Sequence, residues 1–349
     1  MISGVSCAPN AAGRRFVPPI EQGPSIDCLT GLGIRWLLTL LSAAREWAMK
    51  GFSMRWRLVA VPGAVAIVLS LLGAAGVSAA TTGGNLTYPA AHTQALPDDS
   101  ATAAGVTSDQ VGCPMDFPNP VGGGVRIDGT DPGLDLEVHS SAPGTNAWGV
   151  AANNNIGSTA SMTTFAICAK GTYVYPHNTV TIKPGHSKTL KVSCPADTQV
   201  IGGGVAIVGG DHADEVRASE PADGSDADHA IGDAWFGAAG NGSAVKVKMT
   251  VTAICDGSSA TYQIKFHAPV LLLTNHKNSA QVMCPSGTRV VGGGADITGS
   301  STNMEIHDMY PIDGSDADSI PDNGFKATGY NDGDPGTRQL TTFVICKVV

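Results

Sequence analysis

The stretch "QVIGGGVAIVGG", residues 199–210, sets three consecutive glycines behind a short apolar run. Such a run is either a loop that cradles phosphate or a device of the backbone itself. A phosphate loop needs a strand before the glycines and a helix after them, because the helix N-terminus supplies free N–H groups and a positive pole. Here "VAI" follows, which continues as strand, and no Lys-Ser/Thr pair stands behind the glycines. Glycines inside a strand mark a bulge, a sharp bend or the close approach of another backbone. The run reads as architecture.

It also occurs three times. "CPMDFPNPVGGGVRI" starts at Cys113, "CPADTQVIGGGVAI" at Cys194 and "CPSGTRVVGGGADI" at Cys284. Each copy closes on an apolar strand and a cysteine: "TTFAIC" at Cys168, "TVTAIC" at Cys255 and "TTFVIC" at Cys346. Between these marks lie "LEVHSSAP", "DEVRASEP" and "MEIHDMYP". Three units follow, at about 85–170, 171–257 and 258–349. Each reads as a lead-in pair of strands, Cys-Pro, a glycine strand, an acidic loop and two closing strands.

The cysteines divide the same way. Cys7 and Cys28 lie in the leader, and the other six fall two per unit at equivalent positions. Six cysteines allow about 15 pairings. The repetition selects Cys113–Cys168, Cys194–Cys255 and Cys284–Cys346. A zinc site would want close Cys-x-x-Cys spacing, which is missing.

Residues 54–80 show Arg55 and Arg57, an uncharged apolar stretch and then small residues, the order of a secretory signal peptide. The apolar stretch is long enough that an uncleaved anchor is the alternative. Residues 1–53 share nothing with the units and read as an extension upstream of a true start at Met54. Residues 81–349 form a single three-unit β domain. That part holds 14 Lys and Arg against 27 Asp and Glu, a net charge of −13. Such a chain repels nucleic acid and anionic lipid, so membrane contact is expected only through an uncleaved signal.

The motif set resembles secreted actinobacterial three-repeat Cys-Pro/Gly-Gly-Gly proteins, a likeness that carries no function with it. A second, fold-level likeness is to the vitelline membrane outer layer protein, through Cys-Pro, the glycines after it and a later Cys. That resemblance implies a β-prism: four-stranded Greek-key sheets about a pseudo-threefold axis. The fold class expected is therefore all-β, three homologous antiparallel units with one disulfide each.

Several residues are candidates for chemistry. "PADGSDAD" and "PIDGSDAD" place Asp223, Asp226, Asp228 and Asp313, Asp316, Asp318 in tight clusters, the oxygen ligands that calcium prefers, although Asp-Gly-Ser is also turn chemistry. No other cofactor is indicated. His92, His177 and His267 recur in the lead-ins and would suit zinc if the axis brought them together. Trp148 and Trp235, with Phe325 near the same place, could stack on sugar rings, or could fill a core short of bulk. No Gly-x-Ser-x-Gly elbow, His-Glu-x-x-His or free cysteine suggests catalysis. The expected function is non-catalytic, secreted or cell-surface binding of a glycan or cell-wall polymer. A purely structural or protective protein is the alternative, and a polysaccharide-active enzyme the third reading.

Overall fold

The computed structural model describes residues 82–98, 106–129, 136–154, 158–211, 213–224, 232–299, 303–316, 318–333, 335–336 and 338–349. The extension, the signal segment, Asp226 and Asp228 lie outside these described residues. What is described is strand throughout, with no helix. Unit 1 holds β1 (Thr82–Gly83), β2 (Leu86–Thr87), β3 (His92–Leu96), β4 (Val106–Gly112), β5 (Asn119–Asp128), β6 (Leu136–Gly144), β7 (Ala147–Asn154) and β8 (Ala160–Ala169). Unit 2 holds β9 (Tyr173–Val174), β10 (His177–Ile182), β11 (His186–Ser193), β12 (Gln199–Val208), β13 (Asp214–Ala222), β14 (Ala234–Asn241) and β15 (Val247–Asp256). Unit 3 holds β16 (Tyr262–Phe266), β17 (Val270–Leu272), β18 (His276–Met283), β19 (Thr288–Ile297), β20 (Met304–Ile312), β21 (Gly324–Asn331) and β22 (Arg338–Val348).

Three antiparallel sheets result, of eight, seven and seven strands. They are larger than the four-stranded sheets the prism resemblance implies, because no sheet belongs to a single unit. The first joins β1, β2, β3, β5 and β8 of unit 1 to β18, β20 and β21 of unit 3. The second joins β9, β10, β12 and β15 of unit 2 to β4, β6 and β7 of unit 1. The third joins β16, β17, β19 and β22 of unit 3 to β11, β13 and β14 of unit 2. Each unit thus lends three strands to the sheet of the next, and the circle closes between units 3 and 1. The two lead-in strands of a unit go to different sheets: β10 pairs with β15 while β11 pairs with β14. The chain changes sheets again at each Cys-Pro. There the disulfides Cys113–Cys168, Cys194–Cys255 and Cys284–Cys346, each with Cα atoms 5.7 Å apart, tie the corner to the strand that receives it.

The glycine triplets make this weave possible, and each position has its own reason. The strands bulge just before the triplet, at Val121, Ile201 and Val291. A Cβ on the first glycine would strike the carbonyl of the bulged residue in another unit: Gly122 meets Val291 O at 2.3 Å, Gly292 meets Ile201 O at 2.5 Å and Gly202 meets Val121 O at 2.2 Å. Three backbones therefore cross with no side chain between them. The second glycine lies under an aromatic ring, Gly123 under Trp148, Gly203 under Trp235 and Gly293 under Phe325, with no room for a methyl group. At the third, Gly124, Gly204 and Gly294 sit against Met309, Ser141 and Ser219, where strands of two units meet.

Those rings are the centre of the core. Trp235 and Phe325 are fully buried, and Trp148 is 2% exposed. Each Trp donates its Nε1–H to a serine of the neighbouring strand, Trp148 to Ser141 at 3.0 Å and Trp235 to Ser219 at 3.1 Å. Unit 3 replaces the pair coherently, with Phe325 and, at the serine position, Met309. A buried indole needs an acceptor and a phenyl ring does not. A second recurring device is Asn154, Asn241 and Asn331, wholly buried at strand ends. Asn154 donates to Leu96 O and Ser158 O, and Asn241 donates to Ile182 O and Val245 O, at 2.8–3.0 Å. Asn331 bridges Leu272 O and Gly336 O in the same way.

Candidate functional site

The three aromatic side chains expected to form a sugar platform are not on the surface. Trp148, Trp235 and Phe325 are packed over glycine inside the prism, so no pyranose can stack on them. The lead-in histidines do not converge. His92, His177 and His267 are all exposed, and His92 pairs with Asp109 at 2.9 Å. The aspartate loop of unit 3 does gather: Asp313, Asp316 and Asp318 bring oxygens within 4.8 Å of one another, all exposed. Its geometry is held by turn hydrogen bonds, Ile320 N to Asp318 Oδ1 at 2.9 Å and Asn323 Nδ2 to Asp316 Oδ2 at 3.1 Å. Of the unit 2 loop only Asp223 is described, half-buried beside Gly224, whose carbonyl accepts from Lys191 Nζ at 2.7 Å.

Sequence reasoning missed what the weave creates at the seams, where the glycine strand of one unit pairs with the inner strand of another. In the first sheet Met309 stands opposite Val125, which sets Tyr310 across from Gly124, whose other neighbour is Phe165. The glycine leaves a gap, and the two rings close over it with centroids 5.5 Å apart and planes at 16°. Both rings are half-exposed. They floor an open groove of about 680 Å³ that Arg126, Tyr88, Asp313 and Asp318 also line. Arg126 Nε holds Asp128 Oδ2 at 2.8 Å on the surface. Burial, and after it the charge of Asp308, pushes the Tyr310 hydroxyl up to about 12, so it stays a donor.

The same register elsewhere carries other chemistry. The second seam offers Ala142, Ala206 and Thr252, flanked by a smaller groove of about 320 Å³ that Tyr175, His177 and Asn119 line. The third offers acid. Asp296 faces Ala218, so Glu220 lies diagonally beside it on the same face. Burial, and secondarily the charge of Asp296, raises Glu220 to about 8, and burial raises Asp296 to about 6 against the pull of Arg217. Thus Tyr310 with Arg126, Ala142 with Ala206, and Glu220 with Asp296 occupy equivalent places.

A further cluster sits where β6, β13 and β20 touch one another. Glu137, Glu215 and Glu305 are all buried, and their oxygens lie within 4.8 Å of one another. Were all three ionised, each pair would repel by roughly 3 kcal/mol at an effective dielectric of about 20. Burial first, then Glu137, holds Glu215 well above the usual carboxylate range, while Arg217 pulls it down. Two residues on, the strands bulge at His139, Arg217 and His307. His139 is lowered to about 4 by burial and so is neutral at physiological pH. The glutamates were visible as one aligned column in "LEVHSSAP", "DEVRASEP" and "MEIHDMYP". Only the sheet weave shows that the column closes on itself. Compared with known families and curated proteins, the chain matches no family model and no curated sequence.

Proposed function

We propose that this protein is a secreted or cell-surface binding protein that takes a glycan or cell-wall polymer in the Tyr310–Phe165 groove. The supporting observation is the half-exposed ring pair, flanked by a guanidinium and by carboxylates in an open trough. Apolar ring surface serves the C–H faces of a sugar, while Arg126, the Tyr310 hydroxyl and Asp313 serve its hydroxyls. An open trough suits a chain passing through it rather than an enclosed small molecule. Three disulfides suit an oxidising compartment, in keeping with the signal read at residues 54–80. Binding to a glycan array and to insoluble cell-wall polysaccharide tests the reading. Tyr310→Ala should lower affinity about tenfold, the scale of one lost aromatic contact. Unchanged binding by Tyr310→Ala and Arg126→Ala would remove this groove from consideration.

A second reading rests on Glu220 and Asp296. An acid kept protonated near neutrality beside a second carboxylate is the pairing glycoside hydrolysis uses. Turnover of a polysaccharide panel that Glu220→Gln abolishes would favour it. The purely structural role stands if neither binding nor turnover is found.

A further inference from the structure

The axial glutamates form a closed set apart from the groove. Glu137, Glu215 and Glu305 come from corresponding strands of three units, and each is the second residue of its strand. Their neighbours across the sheet differ: Asn153, Gly240 and Tyr330. Asn153 Nδ2 donates to Glu137 Oε2 at 3.3 Å. Gly240 brings no side chain to Glu215, and a Cβ there would lie only 2.8 Å from Glu215 Oε1. That oxygen is buried and makes no hydrogen bond, in a residue 5% exposed. An acceptor stripped of water and left without a donor is costly, and here it faces two more carboxylates. Among the described residues the cation acting on Glu215 is Arg217, against Glu137, Asp214 and Asp332.

The geometry points to a cation site on the pseudo-threefold axis: Glu137, Glu215 and Glu305 hold one oxygen-ligated divalent ion of the calcium class. One guanidinium cannot balance three glutamates with Asp214 and Asp332 acting beside them, and a divalent ion would supply the missing positive charge. Calcium binds oxygen at about 2.3–2.6 Å, so ligands on opposite sides of one ion stand up to about 5 Å apart. The 4.8 Å spread of the glutamate oxygens falls within that span. The ion would also link all three units at the point where their inner strands meet, so it should stabilise the whole prism. This site is separate from the groove proposed for glycan, and neither depends on the other.

The test uses the full chain, stripped with chelator and returned to calcium, magnesium or manganese chloride. Metal content by mass spectrometry should reach about one calcium per chain, and the melting temperature should rise by about 5 °C or more at saturating calcium. Glu215→Gln, nearly isosteric, should abolish both, while Asp313→Asn/Asp316→Asn/Asp318→Asn should keep both, which separates the axis from the exposed loop. If Glu215→Gln yields no soluble protein, Glu137→Gln takes its place. If that too fails, the loop variant decides: calcium retained supports the axis and calcium lost overturns it. No bound metal in the wild type, or calcium unaffected by Glu215→Gln, would also overturn it. So would a stability that responds to protons alone, leaving the glutamates a shared-proton cluster.

Discussion

At Gly203 a single hydrogen atom decides whether the core closes, since a Cβ would lie 2.4 Å from the Trp235 ring and 2.6 Å from Thr252 O. Neither neighbour can retreat, because one is fully buried and the other is backbone in a ladder. Gly203→Ala should therefore cost at least about 3 kcal/mol, the upper end of overpacking, or prevent folding, as read from a denaturant midpoint. Trp235→Ala should cost about 3–5 kcal/mol through its cavity and the abandoned Ser219 hydroxyl. The aromatic pairing makes a sharper comparison. Met309→Ser in unit 3 should destabilise, because Phe325 offers the new hydroxyl no donor, whereas Phe325→Trp with Met309→Ser should recover part of the loss. The glycine motif was legible as architecture at this scale because three copies and no following helix exclude a phosphate loop. The burial of Trp148, Trp235 and Phe325 was not, because a tryptophan beside asparagines looks alike in a core and on a sugar platform until its contacts are known.

Among the elements, the seam strands carry the pH response. Glu220 has a folded pKa of about 8 against an ordinary 4.5. Between those values the unfolded chain has released the proton that the folded chain keeps, so folding takes up a proton and stability falls as pH rises. The contribution is greatest below the unfolded pKa and is lost as pH climbs through the folded one. Glu220→Gln should flatten the fall in melting temperature between pH 4.5 and 8, and an unchanged slope would place Glu220 in contact with water. The disulfides act between elements as well. Each closes a loop of 55 to 62 residues, so reduction should remove about 4 kcal/mol apiece on the chain-entropy account. Strand character was readable from β-branched runs bounded by Gly, Pro, Asn and Asp. The partner of each strand was not. Within the run 179–193, β10 pairs with β15 and β11 with β14, partners far along the chain that no local pattern names.

For the whole molecule, the weave predicts one cooperative transition. Each unit leaves three strands in another unit's sheet, so residues 171–257 expressed alone should show no cooperative melt by circular dichroism. Calorimetry of the full chain should give a single unfolding peak, and three separable peaks would contradict the interlocked sheets.

The all-β class, the three-unit organisation and the disulfide pairing were legible in one dimension, because they follow from local strand patterns and from spacing that recurs. Which strands share a sheet, the groove floor of Tyr310 and Phe165, and the meeting of Glu137, Glu215 and Glu305 emerge in the folded chain alone. Those contacts join residues far apart in the chain. A one-dimensional repeat reveals that positions are equivalent, and it leaves open whether equivalence places them at the centre of the prism or on its rim.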